Sequence, residues 1–290
     1  MEKINGEKLI SLIKLTSNKK IGILDNNTIN FLAKAEKITY INEILSKYDL
    51  LLIPNWVYEE VKDSKERVDY IEGLRKKNLG VFVIDEFEYE EISMWRQQYV
   101  YKFFLYSCFK IGSVTSFLKK NVERNLPLTE LEDYEIWLKL LYNNGFEGKM
   151  LRNERMQKKN AGEISICVLA FIISYFYYEQ QNSITIMSND RDTYDFINFA
   201  KTKLRSDNLI KDDQSIPITF KSNDFLIKEI CSNNYFKQSS GLEELLKLRD
   251  TKRIKYTKNA LDGSIEEHEE VLSNLEFTKI LQDKSFNIIF

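Results

Sequence analysis

The strongest constraint on this chain is a set of short apolar runs placed between much longer helical stretches. The runs are Ile21-Gly-Ile-Leu-Asp25, Leu50-Leu-Leu-Ile53, Gly80-Val-Phe-Val-Ile84, Ser183-Ile-Thr-Ile-Met187 and Ile216-Pro-Ile-Thr-Phe220. Short runs of this kind read as strands buried on both faces. Strands that alternate with helices call for parallel pairing. The expected fold is therefore α/β, with a central, mostly parallel sheet of about five strands flanked by helices. Ten glycines and three prolines in 290 residues fall well short of the usual share of roughly 12%. So few turn residues argue against a many-stranded sandwich or barrel.

Helical patterns fill the intervals. Lys3 to Leu15 reads as a lead-in helix. Pro54 opens a helix that carries Trp56, Val57, Glu59, Glu60 and Val61 and runs to about Lys77. After the acidic stretch Asp85 to Glu91 come only helical patterns, at Met94 to Phe109, Val114 to Glu123 and Thr129 to Tyr142. Residues 86–159 thus read as a helical insertion, whose dense aromatics between Tyr99 and Phe109 suit a core or an interface. Ala161 to Tyr178 reads as a long buried helix, Thr193 to Leu204 as another, and Leu242 to Phe290 as two or three more. The expected organisation is an α/β domain over 1–220, interrupted by the insertion, and a helical C-terminal extension over 221–290.

Composition narrows the chemistry. Three cysteines, Cys108, Cys167 and Cys231, and a single His268 exclude a disulfide framework and a Cys/His zinc site. A Ser-His-Asp mechanism would depend on His268, which stands among Glu266, Glu267, Glu269 and Glu270 and reads as a solvated helix residue. Metal chemistry must use carboxylates. The longest uncharged run, Ile164 to Tyr178, is too short to suggest a spanning helix, and no signal-peptide core is visible at the start. A reducing cytosol is the expected location. A net charge of −2 argues against a general nucleic-acid coat protein.

In open parallel sheets, ligands bind outside the carboxyl ends of the strands. Asp25 and Asp190 fall at two such ends, and Glu60 and Glu163 in early helical turns close by, so all four can meet at one edge. Four carboxylates in one cleft repel strongly unless cations neutralise them, and Mg²⁺ or Mn²⁺ prefers oxygen ligands. Each acid also has a plain reading. Asp25 is a natural helix cap. Glu59 competes with Glu60 for the inward position, and Asp192 with Asp190. Glu163 suits a helix start without any metal.

Four segments, in order, resemble the motifs of PIN domains: IGILDNNTINFL, LLIPNWVYEEV, NAGEISICVLA and ITIMSNDRDTYDF. The resemblance covers Ile21 to about Phe220, without most of the insertion. It implies a nuclease that cuts mainly RNA through three or four acids holding Mg²⁺ or Mn²⁺. By position, Asp25, Glu60, Glu163 and Asp190 are then the metal acids, Asp192 assists, and Asn27 and Ser188 are the polar residues that hold the acids. The insertion and the tail depart from small members of the family and leave a toxin, an RNA-processing and a phage-defence role open. They are also where a protein partner or a second copy would bind.

Lys149, Arg152, Arg155, Lys158 and Lys159 precede Glu163 and form a candidate nucleic-acid rim, whereas the bases between Lys247 and Lys258 read as a solvated helix face. Two other readings stand beside the nuclease. Asp25-Asn-Asn27-Thr28 is close to the Asp-x-Asp-x-Thr motif of haloacid-dehalogenase-like phosphatases, with Asn27 replacing the second acid. A catalytically inactive PIN-like scaffold that binds RNA or protein is the other.

Overall fold

The computed structural model describes residues 3–150, 156–211, 214–259 and 263–289, with the backbone alone for Lys149 and Met156. Its centre is a six-stranded sheet, parallel throughout, with the order β1-β4-β3-β2-β7-β8. The strands are β1 (Lys3–Ile4), β2 (Lys20–Leu24), β3 (Leu50–Pro54), β4 (Val81–Ile84), β7 (Ser183–Met187) and β8 (Ile218–Lys221); β5 (Gly148–Met150) and β6 (Met156–Lys158) form a small hairpin. The five strands expected from the apolar runs are all present. The sixth, β1, lies where a helix was expected to begin. Lys3–Ile4 pairs with β4, and Asn5 then caps α1 (Gly6–Lys14) through its side chain. Two residues are too few for a periodicity, and only the sheet edge reveals them as a strand.

The strand order explains where a ligand can enter. Successive strands β2, β3 and β4 step one way across the sheet, and β7 and β8 step the other way. The direction reverses between β2 and β7, and a crevice opens at the carboxyl ends of strands at such a switch point. The pairing there is close: Ile23 is in register with Leu52 on one side and Ile186 on the other. The Asp25 N–H also donates to Met187 O at 3.0 Å, which carries the ladder one residue beyond β2. β2, β3, β4 and β7 bury nearly every side chain, as parallel strands between two helical layers must, whereas the edge strand β8 is only partly covered.

The crossover after β2 holds α2 (Asn26–Ala35) and the single turn α3 (Asn42–Leu45). That after β3 holds α4 (Asn55–Val61) and α5 (Lys65–Lys76). One helix running to Lys77 was expected here, but the chain turns at 62–64 and restarts from Ser64. The insertion contains α6 (Tyr89–Ile92), α7 (Gln97–Ser107), α8 (Gly112–Leu118) and α9 (Tyr134–Leu140), and it closes through the β5–β6 hairpin, so it is not purely helical. Most of its aromatics are core: Tyr101, Phe103, Phe104 and Trp137 are buried, although Trp95 and Phe109 are exposed, and α7 packs against α10 (Ala161–Phe176) and α11 (Arg191–Ser206). The long buried helix expected over 161–178 is α10. No helix among the described residues is long and apolar enough to cross a membrane.

The tail differs most from expectation. It has α12 (Asn223–Ser232), α13 (Gly241–Leu246) and α14 (Asn274–Gln282), but also a three-stranded antiparallel sheet, β10-β9-β11, of β9 (Arg253–Asn259), β10 (Ile265–Val271) and β11 (Phe286–Ile288). His268 is therefore a strand residue, stacked on Tyr256 across the ladder at 5.1 Å, not a solvated helix residue. Ile254 and Tyr256 are buried while Arg253 is exposed, the period-two pattern of a strand with one face covered. That alternation, followed by Asp262-Gly263 in the sequence, is a hairpin signal.

Candidate metal centre

Asp25 follows β2 directly and caps α2. It is 4% exposed. Oδ1 accepts from the Asn26 N–H at 2.7 Å, and Oδ2 accepts from Ser188 Oγ at 2.9 Å. Ser188, just past β7, also accepts the Asp190 N–H at 3.0 Å, so one hydroxyl ties the ends of β2 and β7 together across the switch point. Asp190 caps α11 by accepting the Asp192 N–H at 2.9 Å. The supporting part expected of Ser188 is thus visible in its hydrogen bonds. Asn27 differs: it is exposed, and its neighbour Asn26 reaches the acids instead. Asn26 Nδ2 donates to Glu60 Oε2 at 3.3 Å, and its Oδ1 accepts from Arg67 of α5.

Glu60 and Glu163 enter from α4 and α10. Of the adjacent pair in α4, Glu60 turns to the cluster and Glu59 pairs with Lys62. Gly162 sets the approach of the two helices. A Cβ there would stand 3.0 Å from Glu60 Oε1 and 3.2 Å from Val57 Cγ2, closer than side chains normally pack. Gln157, in the β5–β6 hairpin, gives Glu60 a second hydrogen bond. Glu163 lies one residue beyond that glycine, in the first turn of α10, and its Oε2 is buried without a hydrogen-bond partner among the described residues.

The electrostatics show that four acids from four segments share one environment. Burial pushes Asp25 up to about 6, reinforced by the charge of Asp190 and opposed by the Ser188 and Asn26 hydrogen bonds and by Lys252. Burial pushes Glu60 up to about 7, reinforced by Asp25 and opposed by Gln157, Asn26 and Arg67. Glu163 is held well above the usual carboxylate range, first by burial, then by Asp25, Glu60 and Asp190. Asp192 is exposed at the margin. Partial burial and its neighbours Asp190 and Asp195 raise it, while Lys110 and Lys159 pull it down.

No group of three or more Asp, Glu, His or Cys among the described residues is placed so that it could hold a metal ion. By donor chemistry alone, the set is of the kind that a divalent cation takes. It is all oxygen, as Mg²⁺ and Mn²⁺ require. Its members repel one another, and the buried Glu163 Oε2 lacks the partner that a buried carboxylate oxygen needs.

A second buried acid escaped the sequence reading. Glu86, just past β4, is fully buried. Its Oε1 accepts from the Trp56 N–H at 2.9 Å and from Ser165 Oγ at 2.6 Å, and its backbone carbonyl accepts from Tyr134 Oη at 2.7 Å. Burial pushes it up to about 8. It joins β4, α4, α9 and α10. Nothing in the acidic stretch Asp85 to Glu91 singles it out.

The basic residues divide. Lys159 is exposed beside Asp192, whereas Lys158 Nζ donates to Asn143 O at 2.6 Å, within the insertion. Arg152 and Arg155 lie outside the described residues, as does the side chain of Lys149. The bases between Lys247 and Lys258 do not form a solvated helix face: Arg249 is buried, and 253–259 is strand β9. Compared with models of known families, with curated proteins and with solved structures, the chain matches none.

Proposed function

We propose that this protein is a metal-dependent endonuclease that hydrolyses phosphodiester bonds, with RNA as the substrate that its resemblance to PIN domains implies. One observation carries the reading. Asp25, Glu60, Glu163 and Asp190, far apart along the chain, share one partly buried environment at the switch point, and one of their oxygens has no partner. These four would hold Mg²⁺ or Mn²⁺, with Asp192 at the margin. When bound, the ion supplies charge neutralisation and Lewis acidity toward a phosphoryl oxygen.

The chain's own groups do the positioning. Ser188 and the Asn26 N–H fix both Asp25 oxygens, so its carboxylate cannot swing away. Asn26 and Gln157 aim Glu60. Arg67 of α5 and the loop residues Lys110, Lys159 and Lys252 come from four separate segments and act on the acids from their margin. They supply the positive potential that a polyanionic substrate needs to approach buried carboxylates.

A phosphatase reading, with Asp25 as nucleophile, finds less support. Both Asp25 oxygens are engaged, and the position two residues on, where that chemistry requires an acid, is the exposed and neutral Asn27. A scaffold without catalysis gives no account of four mutually repelling acids gathered at the switch point of the sheet.

The test is calorimetric titration with Mn²⁺ beside cleavage of labelled single-stranded RNA. The native chain is expected to bind the ion and cut, and Asp25→Asn to do neither while keeping its helical circular dichroism. Undiminished cleavage by that variant would end the proposal.

A further inference from the structure

The C-terminal extension reaches back to the acid cluster. Its anchor is Arg249, 6% exposed. Nε and Nη2 donate to the two oxygens of Asp224 at 3.0 and 3.1 Å, and Nη1 donates to Leu272 O at 2.7 Å. The guanidinium lies 4.2 Å from the Phe277 ring centroid. A buried, bidentate pair of this kind fixes geometry strongly, because removing either partner strands the other charge. It lays residues 250–253 alongside the loop that follows β7, where Asn189 Nδ2 donates to Asp250 Oδ2 at 3.1 Å.

Between these two segments lies a cleft of about 230 Å³, lined by Asn189, Arg191, Asp224, Asp250, Lys252 and Arg253 among others. Asn189 and Arg191 flank the candidate metal acid Asp190, so the cleft adjoins the acid cluster. Its cations are arranged unequally. Glu269 of β10 places a single oxygen 2.6 Å from Arg191 Nη1 and 3.7 Å from Arg253 Nη1. That oxygen is the anionic partner that a phosphate oxygen would have to displace to reach the two guanidinium groups. Lys252 is exposed and forms no ion pair among the described residues, yet it acts on Asp25.

We propose that this cleft is a phosphate subsite for the nucleic-acid strand bound at the acid cluster, in which Lys252 contacts a backbone phosphate and Glu269 competes with that phosphate for Arg191 and Arg253. The identity of the strand rests on the nuclease reading; the subsite rests on the cleft and its cations. A phosphate contact positions a strand without reading its bases, so the subsite sets register and affinity, not sequence preference.

The experiment follows the binding of a fluorescein-labelled single-stranded RNA to the full chain by anisotropy, in EDTA so that no cleavage intervenes, across a series of salt concentrations. Lys252→Ala is expected to weaken binding roughly three- to tenfold at low salt and to reduce the slope of log K against log salt by about 0.7, the share of one phosphate contact on a single strand. Lys252→Arg restores both. Glu269→Gln frees two guanidinium groups and strengthens binding roughly two- to fivefold, the scale of an exposed ion pair. An unchanged affinity and slope in Lys252→Ala overturns the subsite, as does a native chain that binds no oligonucleotide. An unchanged affinity in Glu269→Gln overturns the competition. Parallel assays with Mn²⁺ separate this inference from the reading beneath it. Lys252-dependent binding without any cleavage supports the subsite and removes the nuclease, whereas normal cleavage with Lys252-independent binding does the reverse.

Discussion

Glu163 and Ser165 stand two residues apart at the start of α10, yet they serve two acid groups of opposite character. Ser165 serves a node held by protein donors. It donates to Glu86 Oε1, which also takes the Trp56 N–H, while Glu86 Oε2 is buried without a partner among the described residues and the Glu86 backbone carbonyl accepts from Tyr134 Oη. Glu163 belongs to an unfinished one, where its neighbours are other carboxylates; like Glu86 it has one oxygen without a partner, so the neighbouring charge is what sets it apart. Both regions are buried, and burial raises the acids in both. Burial and a displaced proton affinity therefore do not mark a site on their own. The marker is what surrounds the acid: donors from the protein in one case, like charge in the other.

The largest effect expected from this contrast is on catalysis. Glu163→Gln and Glu86→Gln each remove a buried charge, and each is expected to raise the melting temperature at pH 8, because an acid held above its ordinary range costs stability once ionised. Their activities should part. Glu163→Gln is expected to lower Mn²⁺-dependent cleavage roughly 10²–10³-fold, matching the several kcal/mol of charge stabilisation that a metal site contributes. Glu86→Gln keeps an acceptor for Trp56 and Ser165, and cleavage should stay within a fewfold. Equal loss of cleavage in both variants would erase the distinction between the two regions.

A second effect is on stability against pH. Glu86 moves from an ordinary 4.5 to about 8 on folding. A raised folded value means that the folded state binds its proton more tightly. Its contribution is therefore complete below pH 4.5 and is lost as pH rises toward 8. The loss approaches an upper bound on the order of 5 kcal/mol at about 1.4 kcal/mol per unit. Denaturant unfolding between pH 5 and 8 should show declining stability in the native chain and a shallower decline in Glu86→Gln. Identical slopes would show that Glu86 does not titrate in this range. Mn²⁺ should offset the decline at pH 8 in the native chain and in Glu86→Gln but not in Glu163→Gln, by about 2.7 kcal/mol at a hundredfold excess over Kd.

The sheet was legible because parallel strands must be apolar on both faces, and Ile21–Leu24 or Leu50–Ile53 can hardly be read otherwise. The four acids were legible because they stand next to those strands and the helices that follow them. Their supports were not. Asn26 and Asn27 are chemically identical in the sequence, and only the turn into α2 decides that the first faces Glu60 and the second faces solvent. Gln157 and Lys252 arrive from a hairpin and from the tail, through contacts that span long stretches of chain and leave no local pattern. Glu86 is one of several acids in a row, and its burial depends on Trp56, Tyr134 and Ser165 arriving around it. The tail misled because its charged residues mask a period of two: Ile254 and Tyr256 alternate with Lys255 and Thr257, and the dense glutamates of β10 resemble a solvated helix.

The smallest of these effects tests the approach of α4 to α10, on which the unfinished node depends. Gly162 has no side chain where Glu60 Oε1 and Val57 Cγ2 come close, and the methyl group of Gly162→Ala would press on both. Alanine suits a helix better than glycine by up to about 1 kcal/mol, so the variant gains local helix stability while it displaces a buried neighbour. These opposing terms leave overall stability nearly unchanged. The Glu60 carboxylate, whose other oxygen accepts from Asn26, has to yield, and Mn²⁺ affinity is expected to fall roughly tenfold, the lower end of what disturbed support of a metal ligand costs. Calorimetric titration would measure this directly. An unaltered Mn²⁺ affinity in a folded Gly162→Ala chain would mean that Glu60 is not a ligand, and that the ion is held by Asp25, Glu163 and Asp190 alone.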